Sequence, residues 1–87
     1  MNRPRLVDGV RLQYDDVRAE HVLLVPEGAV RLNQTAVHVL ELCDGRRSPE
    51  EIAAALAQRY AGADVVDDVR ELLDGMGERG LVVDAGA

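Results

Sequence analysis

The spacing of apolar residues changes once along this chain, and that change sets the class of fold. Before Asn33 the spacing is that of strands. Val10-Arg11-Leu12-Gln13-Tyr14 puts Val10, Leu12 and Tyr14 on one face, because successive strand side chains point to opposite sides. Asp15-Asp16 break the pattern and open a polar connection through Glu20. His21-Val22-Leu23-Leu24-Val25 is a second β-rich run. Pro26-Glu27-Gly28 follows it as a turn, and Ala29-Val30-Arg31-Leu32 resumes the alternation. The last two runs are close enough to form a hairpin, so this part reads as a three-stranded antiparallel unit.

From Asn33 onward the period is helical. Asn33 can cap a helix whose apolar positions are Ala36, Val39, Leu40 and Cys43, with Asp44-Gly45 as its stop. Ser48-Pro49-Glu50-Glu51 is a start signal. Ser48 can cap, Pro49 suits the first helical position and Glu51 completes a capping box. Ile52, Ala53, Leu56 and Tyr60 form the buried stripe of that helix, and Gly62 ends it. Asp64 can cap a third helix, in which Val65, Val66, Val69, Leu72, Leu73 and Met76 recur at helical spacing. Gly75 and Gly77 weaken its last turn by up to about 1 kcal/mol each. Beyond Gly80, Leu81-Val82-Val83 can pack back as a strand. The predicted order is β-β-β-α-α-α, a small α+β domain spanning residues 1–87 with winged helix-turn-helix-like packing. A sheet this small keeps at least one open edge unless something covers it.

Size and charge narrow the function. A chain of 87 residues fits one domain. The two-lobed pocket of a cofactor enzyme is hard to build from so little chain. Cys43 is the single cysteine, so no internal disulfide can form. No apolar run follows Met1, and no stretch is long enough to span a bilayer, which predicts a cytoplasmic protein without membrane attachment. The net charge is −6, which disfavours nucleic acid as a partner. The third helix would be the reading element of a DNA-binding helix-turn-helix. It carries Asp64, Asp67, Asp68, Glu71, Asp74 and Glu78 against Arg70 and Arg79, a net of −4. That charge repels a phosphate backbone.

The side chains that could do chemistry read more simply as structure. Cys43 lies on an apolar stripe, where a lone cysteine is a small core residue. His21, His38 and Cys43 match no zinc spacing. The adjacent carboxylates Asp15-Asp16, Glu50-Glu51 and Asp67-Asp68 do not face one another on a helix. The last two pairs suit helix first turns. No glycine-rich phosphate loop follows a strand. The sequence predicts no catalytic residue, no metal and no cofactor. What remains is the open sheet edge beside an acidic-apolar helix, to which an extended peptide can add a strand.

The motifs Pro4-Arg5-Leu6, Val10-Arg11-Leu12-Gln13, Leu23-Leu24-Val25-Pro26-Glu27, Leu32-Asn33, Leu42-Cys43-Asp44-Gly45 and Glu51-Ile52 stand in this order at short intervals. With Leu56, Tyr60, Asp68-Val69, Leu72-Leu73 and Gly80-Leu81 they cover nearly the whole chain. This pattern resembles the PqqD family, the peptide chaperones of pyrroloquinoline quinone biosynthesis. His21 stands where members of that family often have an aromatic residue. The resemblance implies a non-catalytic recognition domain for a ribosomally made precursor peptide of the PqqA kind. It implies presentation of that peptide to a radical SAM enzyme of the PqqE kind. It also implies that the peptide docks as an added strand between the third strand and the helical layer. Carried onto this chain, the edge strand is Ala29, Val30, Arg31 and Leu32. The third helix would supply Val66, Val69, Arg70 and Leu73 to the groove wall, with Arg31 and Arg70 as partners for acidic side chains of the peptide. The alternatives are the same module serving another modified peptide, or a winged-helix DNA-binding regulator. An open edge can also pair with itself in a homodimer.

Overall fold

The computed structural model describes residues 1–60 and 65–86. The alternating segment folds into three strands, β2 (Arg11–Asp15), β3 (Glu20–Val25) and β4 (Gly28–Leu32), which follow a short first strand, β1 (Pro4–Leu6). β3 is central, in the order β2-β3-β4, and both pairings are antiparallel. Leu23 sits mid-strand opposite Leu12 and Val30, and its side chain is fully buried. Three helices then run in succession: α1 (Gln34–Glu41), α2 (Pro49–Arg59) and α3 (Val66–Glu78). α1 packs against the two outer strands β2 and β4, and α2 packs along α3. Leu23, Leu40, Ile52, Leu56, Val69 and Leu73 meet in a common core between sheet and helices.

The helix starts follow their sequence signals. The Asn33 side chain accepts the Ala36 N–H at 2.8 Å. At α2 the Glu51 N–H donates to Ser48 Oγ at 3.1 Å, and the Ser48 N–H donates to Glu51 Oε1 at 3.0 Å. This reciprocal box holds the Glu51 carboxyl below its ordinary range. The N-cap of α3 is Val65, which brings no side-chain cap. The expected Asp64 cap and Gly62 stop lie outside the described residues. α3 ends in a Schellman turn, with Gly80 at φ +73° and the Leu81 N–H donating to the Met76 carbonyl at 2.9 Å.

Two features go beyond the sequence pattern, and one corrects it. The chain's last strand, β5 (Val82–Asp84), pairs antiparallel with β1, making a second sheet of two strands. The Asp84 carboxylate seals this pairing by accepting the N–H groups of Asn2, Arg3 and Gly86 at 2.8, 3.0 and 2.9 Å. The correction concerns Asp44-Gly45. α1 ends at Glu41 with Leu42 as C-cap, before the expected stop. Gly45 instead donates its N–H to the Pro4 carbonyl at 3.0 Å. Its φ is +80°, and a Cβ there would meet Ala85 Cβ at 3.1 Å. The glycine thus serves the close approach of the loop to β1 and the chain end.

Candidate functional site

β4 is hydrogen-bonded to β3 on one side only, and its register with β3 determines what the other side offers. Val25 pairs with Gly28 across a two-residue connection, and His21 pairs with Leu32. A tight turn closes on a hydrogen-bonded pair, and bonded and non-bonded pairs alternate along an antiparallel ladder. Gly28, Val30 and Leu32 therefore turn their backbone groups toward β3. Ala29 and Arg31 turn theirs to the free edge. The side chains divide the same way: Val30 and Leu32 are half-buried against the core, while Ala29 and Arg31 are exposed. The Arg31 guanidinium lies 3.6 Å from the Glu20 carboxylate of the central strand.

A cleft opens where β4 ends. It holds about 300 Å³ between Asn33 and Thr35 on one wall and Val65, Asp68, Val69 and Leu72 on the other. Val65, the N-cap, and Asp68, Val69 and Leu72 of α3 recur at helical spacing and form one side of that helix. Val69 forms the cleft's floor, being only 1% exposed. Leu73 is also 1% exposed and belongs to the core cluster. Val66 is half-buried. Arg70 faces α2, where its guanidinium meets the Glu50 carboxylate at 2.8 Å. Among the sequence-named residues, the structure puts the backbone of Ala29 and Arg31 on the open edge and Val69 under the cleft. Val65, Asp68 and Leu72 were not named as site residues. The apolar stripe of α3 is wider than the strip α2 covers, and the uncovered margin lines the cleft.

Elsewhere the reactive groups are embedded in the fold. The Cys43 thiol is buried and donates to the Val39 carbonyl at 3.3 Å. Burial, and secondarily the charge of Asp44, pushes its pKa up to about 12, far from nucleophile range. His38 Nδ1 lies 2.6 Å from the Tyr60 hydroxyl, tying α1 to the end of α2. Among the described residues no group of three or more His, Cys, Asp or Glu is placed to hold a metal ion. None of their helices is long and apolar enough to cross a membrane.

Comparison with known proteins fits this geometry. The sequence model of coenzyme PQQ synthesis protein D (PqqD) matches residues 20–82. A PqqA binding protein of Azotobacter vinelandii is 41% identical over 80 residues, covering 91% of this chain and 87% of that protein. A bifunctional coenzyme PQQ synthesis protein C/D of Methylorubrum extorquens is 44% identical over 78 residues, which is 87% of this chain but only 21% of that protein. Among solved structures, the solution structure of the PqqD truncation of Methylobacterium extorquens PqqCD superimposes with a TM-score of 0.79 at 40% identity. That match covers 92% of this chain and 87% of the other, which is described as a functional, stand-alone recognition element for ribosomally synthesized and post-translationally modified peptides. The matched span takes in the edge strand, the cleft and all three helices, so the chain belongs to the PqqD family.

Proposed function

We propose that this chain binds a ribosomally made precursor peptide of the PqqA kind as an added strand along β4. It presents that peptide to a radical SAM enzyme in the cytoplasm and performs no covalent step itself. The observation that carries this reading is the open β4 edge, with the outward backbone groups of Ala29 and Arg31 beside an apolar cleft. The names of the relatives, PqqA binding proteins, support it.

The energetics suit a transient handover. Two outward residues offer up to four backbone bonds, each contributing about 1 kcal/mol net. One or two apolar side chains seated in the cleft add about 1.5–3 kcal/mol each. Association costs of about 4 kcal/mol or more offset part of this sum, leaving at most about −6 kcal/mol, an affinity of tens of micromolar or weaker. That strength permits both capture and release. Arg31 sits in an exposed ion pair, which contributes under about 1 kcal/mol, so it can exchange Glu20 for a peptide carboxylate.

The test is an amide-resolved NMR titration with the PqqA peptide. Saturable shifts centred on residues 29–32 and the cleft side of α3 are expected. Absence of shifts at high peptide excess would exclude docking at this edge.

A further inference from the structure

The cleft at the end of β4 continues along α3. Asp68 and Leu72 line both it and a second depression of about 440 Å³, which follows α3 to its last turn with Glu71, Gly75, Met76 and Arg79. Leu72 and Met76 give this trough an apolar floor. Its charges are sorted along its length, with carboxylates at the Asn33 end and the Arg79 guanidinium at the far end. None of the four ion pairs among the described residues uses Asp68, Glu71 or Arg79, so all three can answer to a ligand.

Gly75 is the second observation. Glycine is the poorest helix former after proline, and here no packing demands it. A Cβ built at Gly75 would meet nothing within 4 Å, and its φ is not in the left-handed region. The missing side chain leaves the middle of the trough clear.

We infer that this trough holds the continuation of the docked peptide and selects a segment ordered basic, apolar, acidic along α3, with the basic end toward Asn33. The inference rests on docking at β4. The spacing follows from helix and strand geometry. Asp68 and Arg79 are eleven positions apart, about 16 Å along the axis at 1.5 Å per residue. An extended chain covers that in about five residues. Leu72 lies about 6 Å beyond Asp68, two strand residues on. The selected segment carries Arg or Lys, an apolar side chain about two positions away, and Asp or Glu about five positions away.

The experiment compares binding of the PqqA peptide to the wild-type chain, Gly75→Leu, and the double variant Asp68→Asn/Glu71→Gln, with thermal melts of each. In Gly75→Leu the melting temperature rises by about 3–6 °C, because a poor helix former is replaced. Its affinity falls by about tenfold or more, because the new side chain fills the trough. A variant that is more stable yet binds worse cannot be explained by misfolding. The double variant binds about fivefold more weakly and loses much of the wild type's salt dependence. Wild-type affinity in folded Gly75→Leu, or tighter binding by the double variant, overturns the inference and leaves docking at β4 intact. If the wild type shows no shifts along β4, the docking reading fails and the inference falls with it.

Discussion

Replacing Arg31 with proline tests the phase of the β4 edge directly. The ladder register makes the Arg31 N–H one that points away from β3. Proline removes that N–H and little else of the sheet, and proline is tolerated on edge strands when its nitrogen faces outward. Val30 precedes it and is already extended, as the residue before proline prefers. The lost Arg31–Glu20 pair is exposed and long at 3.6 Å, so its contribution is under about 1 kcal/mol. The fold should survive. Peptide binding should not. One backbone bond of about 1 kcal/mol disappears, and the peptide carbonyl that accepted it is left buried without a donor, at a cost of about 1–3 kcal/mol. A total of about 2–4 kcal/mol corresponds to roughly 30- to 900-fold weaker binding.

Two companions isolate the cause. Arg31→Ala keeps the N–H and loses only the guanidinium. Val30→Pro removes an N–H that points inward to Leu23, so it should break the β3–β4 ladder and destabilise the domain by about 3 kcal/mol. Titration calorimetry with the PqqA peptide gives the affinities, and amide exchange at Leu23 and Val25 reports the ladder. The reasoning is refuted if folded Arg31→Pro binds within about twofold of Arg31→Ala. It is equally refuted if Val30→Pro keeps the ladder while Arg31→Pro loses it.

Three further outcomes follow from local contacts. Ser48→Ala removes the Oγ that accepts the Glu51 N–H and leaves the Ser48 N–H bond to Glu51 in place, and should cost about 1 kcal/mol and about 4–8 °C in melting temperature, read by calorimetry. The Cys43 thiol, with its pKa raised from 9.0 to about 12, should resist iodoacetamide at neutral pH until denaturant is added. The unfolded thiol ionises first, so the stability it confers is full below about pH 9 and declines as pH climbs toward 12. Glu51 and Asp84 are held below their ordinary values of 4.5 and 3.8, chiefly by the backbone N–H groups of Ser48 and Asn2 respectively. Their contribution is therefore present above those values and lost as pH falls below them. The melting temperature should drop in that acid range, and slightly less so in Ser48→Ala, which loses only the secondary contribution of the Ser48 side chain to the Glu51 shift.

The parts of this fold that were legible are those with local signals. Ser48-Pro49-Glu50-Glu51 carries its whole capping geometry within four residues, and the hairpin of β3 and β4 is written in one alternation and one turn. β1, and its pairing with the expected C-terminal strand β5, were not equally legible. Each strand has three residues, too few to show a period, and their partners lie at opposite ends of the chain. The site divides in the same manner. The edge strand could be read because strand period assigns its faces. The wall of the cleft could not. Helical spacing places Val65, Val69, Leu72 and Leu73 on a common stripe, but only packing decides which margin α2 leaves uncovered. Val69 and Leu73 fall at the buried centre of the stripe, and the opening falls at Val65, Asp68 and Leu72. Arg70 was equally opaque, because its partner Glu50 lies on another helix.

A helix-turn-helix packing does not by itself choose between nucleic acid and peptide, and in this chain the choice rests on charge and on the sheet edge together. Within α3 and its cap, five carboxylates stand against Arg70 and Arg79, and Arg70 is already engaged by Glu50. A phosphate backbone approaching this surface meets net repulsion at each step and finds no cluster of free cations to release its counterions. A peptide strand meets no such barrier, since the backbone groups of Ala29 and Arg31 ask nothing of its charge. On the proposed docking, the edge would supply affinity to many extended segments, while the acidic helix would decide among them. Recognition becomes separable into a general part on β4 and a selective part on α3. The proposed handover needs that separation, because a modifying enzyme would have to read the peptide's remaining face without undoing how it is held.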